Sequence, residues 1–345
     1  MMEQLKSIKD IDQISIREDR IMHSADANEI VNGLTTDVYF LRTLDILSAL
    51  DLAEAEVVAE IFPRKKGVFC GIDEVKNLLK GKPLEVWAVD EGETFDVKDT
   101  VLRIKGKYKD MAIFETIVLG MLASASGWAT AASEIKEACG DKTFLCFGAR
   151  HLHPSVAPVM ERSAVIGGAM GASCILAAKL MGLNPSGTVP HSAMLIAGDT
   201  LTVSETYNRI SDPAHNRIVL IDTFKDEVEE AIRIARALDG KLYGIRLDTP
   251  SERGGVTAGL VKEMRAKLDA EGFDYVKIFV SGGLTPEKII TLREAGADSF
   301  GVGSYISGAS PIDMTMDIKM VNGKAVAKRG RIPGLIDNPK LKKVQ

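Results

Sequence analysis

The chain has 345 residues, 46% hydrophobic and 26% charged, a balance that fills a large core and allows two domains or one large α/β unit. A net charge of −5 argues against a basic nucleic-acid-binding surface. Four scattered cysteines with no C-x-x-C pair exclude a zinc knuckle and a disulfide framework. The charged start "MMEQLKSIKDIDQISIRED" lacks the apolar centre of a secretory signal.

With no apolar run of about eighteen residues, no membrane segment is expected and a cytoplasmic setting follows. In chain order, "TTDVYFLRTLDILSAL" (35–50) predicts a helix from apolar spacing near 3.6. From 54 to 105, "AEVVAEIF", "GVFCG", "PLEVWAVDEG" and "DTVLRIKGKY" read as short strands around a helical insert, "IDEVKNLL". Residues 1–111 are therefore expected to form a small α/β sandwich. A long small-residue-rich helix at 112–138 is expected to bridge it to the next domain.

Across 139–310, strand and helix signals alternate. The strands are "TFLCFG" (143–148), "SGTVPHS" (186–192), "RIVLIDT" (217–223), "LYGIRLDT" (242–249), "YVKIFVSGG" (275–283) and "SFGVGS" (299–304). A helix from about 155 to 181 separates the first two. The expected fold class is α/β, an irregular, incomplete parallel βα barrel plus an α/β sandwich domain, with an open doubly wound sheet as the alternative. The tail, 311–345, returns to the sandwich. Its segment "DMTMDIKMVNGKAVAKRGR" reads as two strands joined by a type I′ turn at Asn322-Gly323.

Chemistry-bearing residues gather at the C-terminal strand ends, where βα-barrel sites are built. Arg150 and His151 follow the first strand, His191 the second, Asp222-Thr223 the third, and Arg246 and Asp248 end the fourth. Ser281-Gly282-Gly283 ends the fifth, and Gly301-Val302-Gly303-Ser304 the sixth. Paired glycines before a helix N-terminus let backbone N–H groups approach an anion, so phosphate is the expected guest. A plain tight turn is the alternative. Arg246 and Asp248 share one side of an extended segment and suit phosphate oxygens and ribose hydroxyls, or a simple ion pair. His191 suits acid/base or nucleophilic work, with Asp222 placed to fix its tautomer. His151 and His153 have i,i+2 spacing but too few neighbours for a metal, and His23 and His215 give no signal.

Seven stretches, taken together, resemble the nicotinate phosphoribosyltransferases. They are Thr36-Asp37-Val38-Tyr39, Phe147-Gly148-Ala149-Arg150, Gly187-Thr188-Val189-Pro190-His191-Ser192 and Leu220-Ile221-Asp222-Thr223-Phe224, followed by Arg246-Leu247-Asp248, Ser281-Gly282-Gly283 and Gly301-Val302-Gly303-Ser304. The resemblance spans about residues 30 to 330. It implies a type II phosphoribosyltransferase joining nicotinate to 5-phosphoribosyl-1-pyrophosphate, with nicotinate mononucleotide and pyrophosphate as products of NAD biosynthesis.

The implied roles follow the motifs. Ser281, Gly282, Gly283, Gly301, Gly303 and Ser304 hold the 5′-phosphate with help from Arg246, and Asp248 takes the ribose hydroxyls. Phe147 and Tyr39 stack on the pyridine ring, Tyr39 reaching from a neighbouring subunit, which implies a homodimer. Arg150 neutralises charge near the ring or pyrophosphate, and Thr188 belongs to the substrate contacts. Asp222 is grouped with the catalytic His191 and Asp248. Mg²⁺ assists pyrophosphate departure without a dedicated protein metal site, and ATP as co-substrate phosphorylates His191.

Three departures stand out. Val189-Pro190 replaces the more usual Met-Ala pair, no C-terminal cysteine cluster is present, and "MGLNPSG" (181–187) lacks an aspartate for a carboxamide, favouring the acid. Quinolinate phosphoribosyltransferase, a sugar-phosphate isomerase or lyase on the same kind of barrel, and an inactive nucleotide-binding relative are the rival readings.

Overall fold

The computed structural model describes residues 4–16 and 18–345. Its strands are β1 (Glu56–Pro63), β2 (Gly67–Val68), β3 (Glu85–Ala88), β4 (Thr94–Phe95), β5 (Leu102–Lys107), β6 (Thr143–Cys146), β7 (Arg217–Leu220), β8 (Leu242–Leu247), β9 (Lys277–Ser281), β10 (Ser299–Val302), β11 (Met314–Val321), β12 (Lys324–Ala325) and β13 (Lys342–Lys343). They divide between two compact units. One takes the chain up to Thr130 with Ser310–Gln345, the other Ala131–Ala309.

The first unit is built on an antiparallel sheet in the order β12-β11-β1-β5-β3-β13. Val57, Ala59 and Ile61 of β1 point to one face, as period two requires, and pack with Phe40, Leu41 and Leu44 of helix Val38–Ala49. That helix starts where Asp37 accepts the Tyr39 N–H, a side-chain N-cap. Asn322 and Gly323 both have positive φ, 47° and 76°, as a two-residue turn between β11 and β12 needs. On the opposite face the fully buried Glu60 is held by Arg103 at 2.7 Å, and it accepts the Ile336 N–H, which pins the tail.

Helix Glu115–Cys139 begins in this unit and continues into the other. With the turns before it, it makes the run Tyr108–Cys139. Among the described residues this run alone is long and apolar enough to cross a membrane, yet 61% of its apolar window is buried inside the protein, as in a core helix. In its first turn, burial, reinforced by Asp317, pushes the Glu115 carboxyl up to about 7. The native state therefore holds this proton over a range where the unfolded chain releases it, and stability falls as pH rises from the ordinary glutamate range through about 7. Glu115→Gln is expected to match the parent near pH 4 (below the ordinary glutamate range of about 4.3) and to exceed it in chemical-denaturation midpoint above pH 7. Parallel pH profiles for the two proteins would contradict this.

The second unit carries parallel strands in the order β6-β10-β9-β8-β7. Alternation is clear. Phe144, Cys146, Ile278 and Val302 are buried away from the inner space of about 560 Å³, while Thr143, Leu145, Lys277, Phe279, Ser281, Ser299 and Gly301 line it, with the buried Val280 and Phe300 at its edge. The ladder does not close between β6 and β7, so the barrel is incomplete. The fifth and sixth expected strands are β9 and β10, but the second is not a strand. Residues 183–190 have no regular structure and join no ladder: the Ser186 N–H goes to Ala172 O at 2.9 Å, and the Thr188 hydroxyl meets the Arg246 side chain of β8. Pro185 and Pro190 have no N–H to donate, and Gly187 adds no side chain to pack, which denies this segment a ladder. The single helix expected over 155–181 is two, Ala157–Ile166 and Ile175–Leu180, because Gly167-Gly168 ends the first.

Candidate functional site

The C-terminal ends of β8 and β9 bring the central groups together. Arg246, on β8, donates from Nε to Ser281 Oγ (2.9 Å), from Nη1 to Thr188 Oγ1 (2.7 Å) and from Nη2 to Asp248 Oδ2 (3.0 Å). Its guanidinium carbon lies 5.5 Å from the centre of the Phe147 ring. Ser281 in turn donates to Asp248 Oδ1 at 2.7 Å. The ion pair read from the sequence as the alternative for Arg246 and Asp248 is thus present, inside a larger network. Of the five N–H donors of a guanidinium, three are engaged and two remain for a ligand.

Asp222 follows β7, its side chain almost wholly inaccessible. Oδ2 accepts the Asp248 N–H at 3.2 Å, and Oδ1 is buried without a hydrogen-bond partner. Burial raises its pKa, the nearby Asp248 charge adds to the rise, and His191 opposes it. His191 opens helix His191–Ala197, with Nε2 3.9 Å from Asp222 Oδ1 and 3.8 Å from Asp248 Oδ2. Both separations exceed hydrogen-bond reach. The expectation that Asp222 fixes the tautomer is therefore corrected: the ring's hydrogen bond is from Nδ1 to Thr223 Oγ1 at 3.0 Å, and a hydroxyl there can serve either tautomer. The sequence reading passed over Thr223 because its neighbour carried the charge.

Gly282 and Gly283 adopt φ of 95° and 57°, the left-handed region that their turn requires, and nothing lies within 4 Å of where a Gly283 side chain would begin. They open onto a cleft of about 710 Å³ shared with Arg150, Asp248 and Lys288. The helix Pro286–Glu294 starts there, capped by Thr285. The turn's backbone N–H groups, the helix N-terminus and the cations Arg150 and Lys288 are features that suit an anion, beside the carboxylates of Asp248, Glu252 and Glu287 on the same walls. Lys288 was not singled out in the sequence, where a lone lysine on a helix carries no signal.

Gly301 and Gly303 answer to a different demand. A side chain on Gly301 would meet the Phe147 ring at 2.4 Å, and one on Gly303 would meet His151 and the Phe147 carbonyl at 2.9 Å. Their missing side chains make room for Phe147 and His151, and neither glycine lines the Gly282-Gly283 cleft. Ser304 is exposed at the start of the short helix Ser304–Ser307. His151 bonds Ser307 Oγ through Nδ1 at 3.0 Å, and His153 bonds Ser155 locally, so both are accounted for without a metal. Gly301→Ala is expected to displace the Phe147 ring, lowering stability by about 1–3 kcal/mol with a matching loss of ring binding. An unchanged melting temperature would contradict this packing account.

Tyr39 belongs to the other unit. It sits on helix Val38–Ala49 about half exposed, its ring 4.2 Å from that of Phe40, so it is not a core residue. Burial, Glu115 and Asp37 together raise its pKa.

Two family models cover most of the chain. "Quinolinate phosphoribosyl transferase, N-terminal domain" matches residues 37–126, and "Quinolinate phosphoribosyl transferase, C-terminal domain" matches residues 128–317. The chain belongs to this type II phosphoribosyltransferase family. A solved structure described as nicotinate-nucleotide pyrophosphorylase from Pyrococcus furiosus is 43% identical, with a TM-score of 0.88 over 92% of this chain and 82% of that one. A nicotinate phosphoribosyltransferase of Mycobacterium tuberculosis is 29% identical over 254 residues, 71% of this chain and 53% of that protein. Another, from Bacillus subtilis, is 30% identical over 225 residues, 64% of this chain and 45% of that protein. The chain spans about half the length of the curated relatives it matches. The structure of human Nicotinic Acid Phosphoribosyltransferase, 16% identical, shares the fold, with a TM-score of 0.67 over 87% of this chain and 77% of that one. In the terms of this family, the sandwich and the incomplete barrel are its N-terminal and C-terminal domains, as the resemblance implied.

Proposed function

We propose that this phosphoribosyltransferase joins nicotinate to 5-phosphoribosyl-1-pyrophosphate, releasing pyrophosphate in NAD biosynthesis, with ATP as co-substrate. The observation that carries the reading is Arg246, fixed on three sides and facing Phe147 beside the paired-glycine cleft. A pyridine ring lies on Phe147, and its single carboxylate takes the two free guanidinium N–H donors. Gly282 and Gly283 with the helix N-terminus hold the ribose 5-phosphate, Asp248 the ribose hydroxyls, and Arg150 the pyrophosphate. This moves Arg246 from the phosphate to the carboxylate, and leaves Gly301, Gly303 and Ser304 to shape the wall behind Phe147.

As the bond from the ribose carbon to pyrophosphate lengthens, positive charge grows on the sugar. The Asp222 and Asp248 carboxylates lie on that side and stabilise it, while the ring nitrogen, held in line, forms the new bond. Among the described residues no group of three or more His, Cys, Asp or Glu side chains is arranged to hold a metal ion. The partnerless Asp222 Oδ1 and the adjacent Asp248 nevertheless fit a hard cation that draws its other ligands from phosphates. Bound Mg²⁺ would supply charge neutralisation on the departing pyrophosphate. His191 Nε2 is open toward the two carboxylates and is the nitrogen that would take a phosphoryl group from ATP.

A homodimer with Tyr39 supplied by the neighbouring subunit fits the exposed apolar residues Tyr39, Ile46 and Leu50 on one unit and Ile175, Leu195 and Ile196 on the other. Cysteines that are few, scattered and mostly buried fit a reducing, cytoplasmic setting. Quinolinate is the second reading, favoured by the description of the 43% identical structure. It carries two carboxylates, whereas the other cation on the inner wall, Lys277, faces Asp298 at 3.7 Å.

The deciding experiment compares kcat/KM for nicotinate, nicotinamide and quinolinate, each with and without ATP. Nicotinate is expected to exceed both others by more than about a hundredfold, roughly 2.7 kcal/mol, and ATP to raise its turnover. Carbon dioxide release from quinolinate at a comparable rate would replace this reading with the second one.

A further inference from the structure

Glu161 is a fully buried carboxylate on helix Ala157–Ile166, among the equally buried Ala157, Met160 and Ala164. A buried acid is tolerated where donors surround it, and here they come from two different loops. Oε1 accepts the Ala149 N–H at 3.3 Å and the Ser173 hydroxyl at 2.8 Å, while Oε2 accepts the Cys174 N–H at 2.6 Å. Ala149 opens the single turn Ala149–His151 that carries Arg150. The second loop is moored to β6 through Cys146 N–H to Gly171 O and Ser173 N–H to Cys146 O, at 3.1 and 3.2 Å. Through Ala172 O it also holds Ser186, two residues before the Thr188 hydroxyl that fixes Arg246.

We infer that Glu161 is a positioning residue, a latch whose carboxylate ties the Arg150 turn to the Ser173–Cys174 loop and so sets Arg150 across the cleft from Gly282 and Gly283. A glutamine has the same shape but must turn an amide N–H toward one of the three donors. One arm of the latch then opens, and the Ala149 turn is the more weakly held, by the longest of the three bonds. The inference rests on the reading of that cleft as the phosphoribosyl-donor site.

The test is steady-state kinetics of Glu161→Gln, Arg150→Ala and the double variant in the full-length protein, with hydrogen exchange of residues 149–151. Glu161→Gln is expected to raise KM for 5-phosphoribosyl-1-pyrophosphate on the order of tenfold, with little change in KM for nicotinate and faster exchange at the turn. In the Arg150→Ala background it should add almost nothing, because both changes remove the same contact. Effects that multiply in the double variant, or that fall equally on both substrates, would overturn the latch in favour of a general packing role. Should Glu161→Gln not fold, Ser173→Ala removes one donor only, and a smaller shift in the same direction is expected. If the protein makes no nucleotide at all, the donor-site reading fails, and exchange alone decides: faster exchange at 149–151 sustains the latch and unchanged exchange overturns it.

Discussion

Arg246→Ala is expected to lower kcat/KM for nicotinate by about 10³, the loss of two charge-assisted hydrogen bonds at about 2 kcal/mol each. The side chain touches Ser281, Thr188 and Asp248 at once, so its removal also frees Asp248 and the Thr188 segment. Arg246→Lys should recover less than about a tenth of the loss, since an ammonium reproduces the charge but not the planar fork that reaches three partners and a carboxylate. Initial rates at varied nicotinate and varied donor separate the roles. A defect concentrated in the nicotinate KM supports the carboxylate contact. A defect confined to the donor KM would return Arg246 to the phosphate, and wild-type rates would remove it from the site.

The second large effect concerns Asp222, and it has opposite signs in stability and in activity. Burial holds its carboxyl above the ordinary aspartate range, with Asp248 adding to the shift. A folded-state pKa above the unfolded value means that stability is full at low pH and declines as pH rises through the folded pKa. Once ionised, the group therefore weighs on the fold in the absence of a ligand. Asp222→Asn is expected to raise the melting temperature at pH 7 by roughly 2–4 °C, with no gain near pH 3, while lowering turnover by about 10². This is the trade between stability and function that a strained site carries. A variant both less stable and less active at every pH would show that Asp222 serves the fold and not the reaction.

Much of the architecture was legible because local chemistry and long-range packing agree. The helix at 38–49 shows its 3.6 spacing and its Asp37 cap, and Asn322-Gly323 demands a two-residue turn wherever it falls. Strand ends rich in Arg, Asp and paired glycines pointed to one face of the barrel, and Arg246, Asp248, Ser281, Asp222 and His191 meet there.

What escaped the sequence depends on partners remote along the chain. Gly301 resembles a phosphate glycine until the Phe147 ring is found on its α-carbon. The apolar and small residues of 186–192 read as a strand, yet two prolines empty that position in the ladder. Strand β13 is a pair of lysines with no apolar pattern. It is placed by ion pairs to Glu85 and Asp90 and by the Gln345 amide donating to three carbonyls, at Leu79, Lys82 and Leu84. Glu161 lay next to Arg162 in an otherwise largely apolar helix, where nothing marked it out; only the folded loops disclose its donors.

The most direct test of the central claim is ³¹P NMR of the purified protein with nicotinate, 5-phosphoribosyl-1-pyrophosphate and Mg²⁺. The account predicts that donor resonances give way to pyrophosphate and a nucleotide monophosphate in equal amounts, with no reaction when nicotinate is omitted. A donor spectrum that stays unchanged with every pyridine acid supplied would contradict it, and would leave the cleft at Gly282-Gly283 as an anion site serving other chemistry.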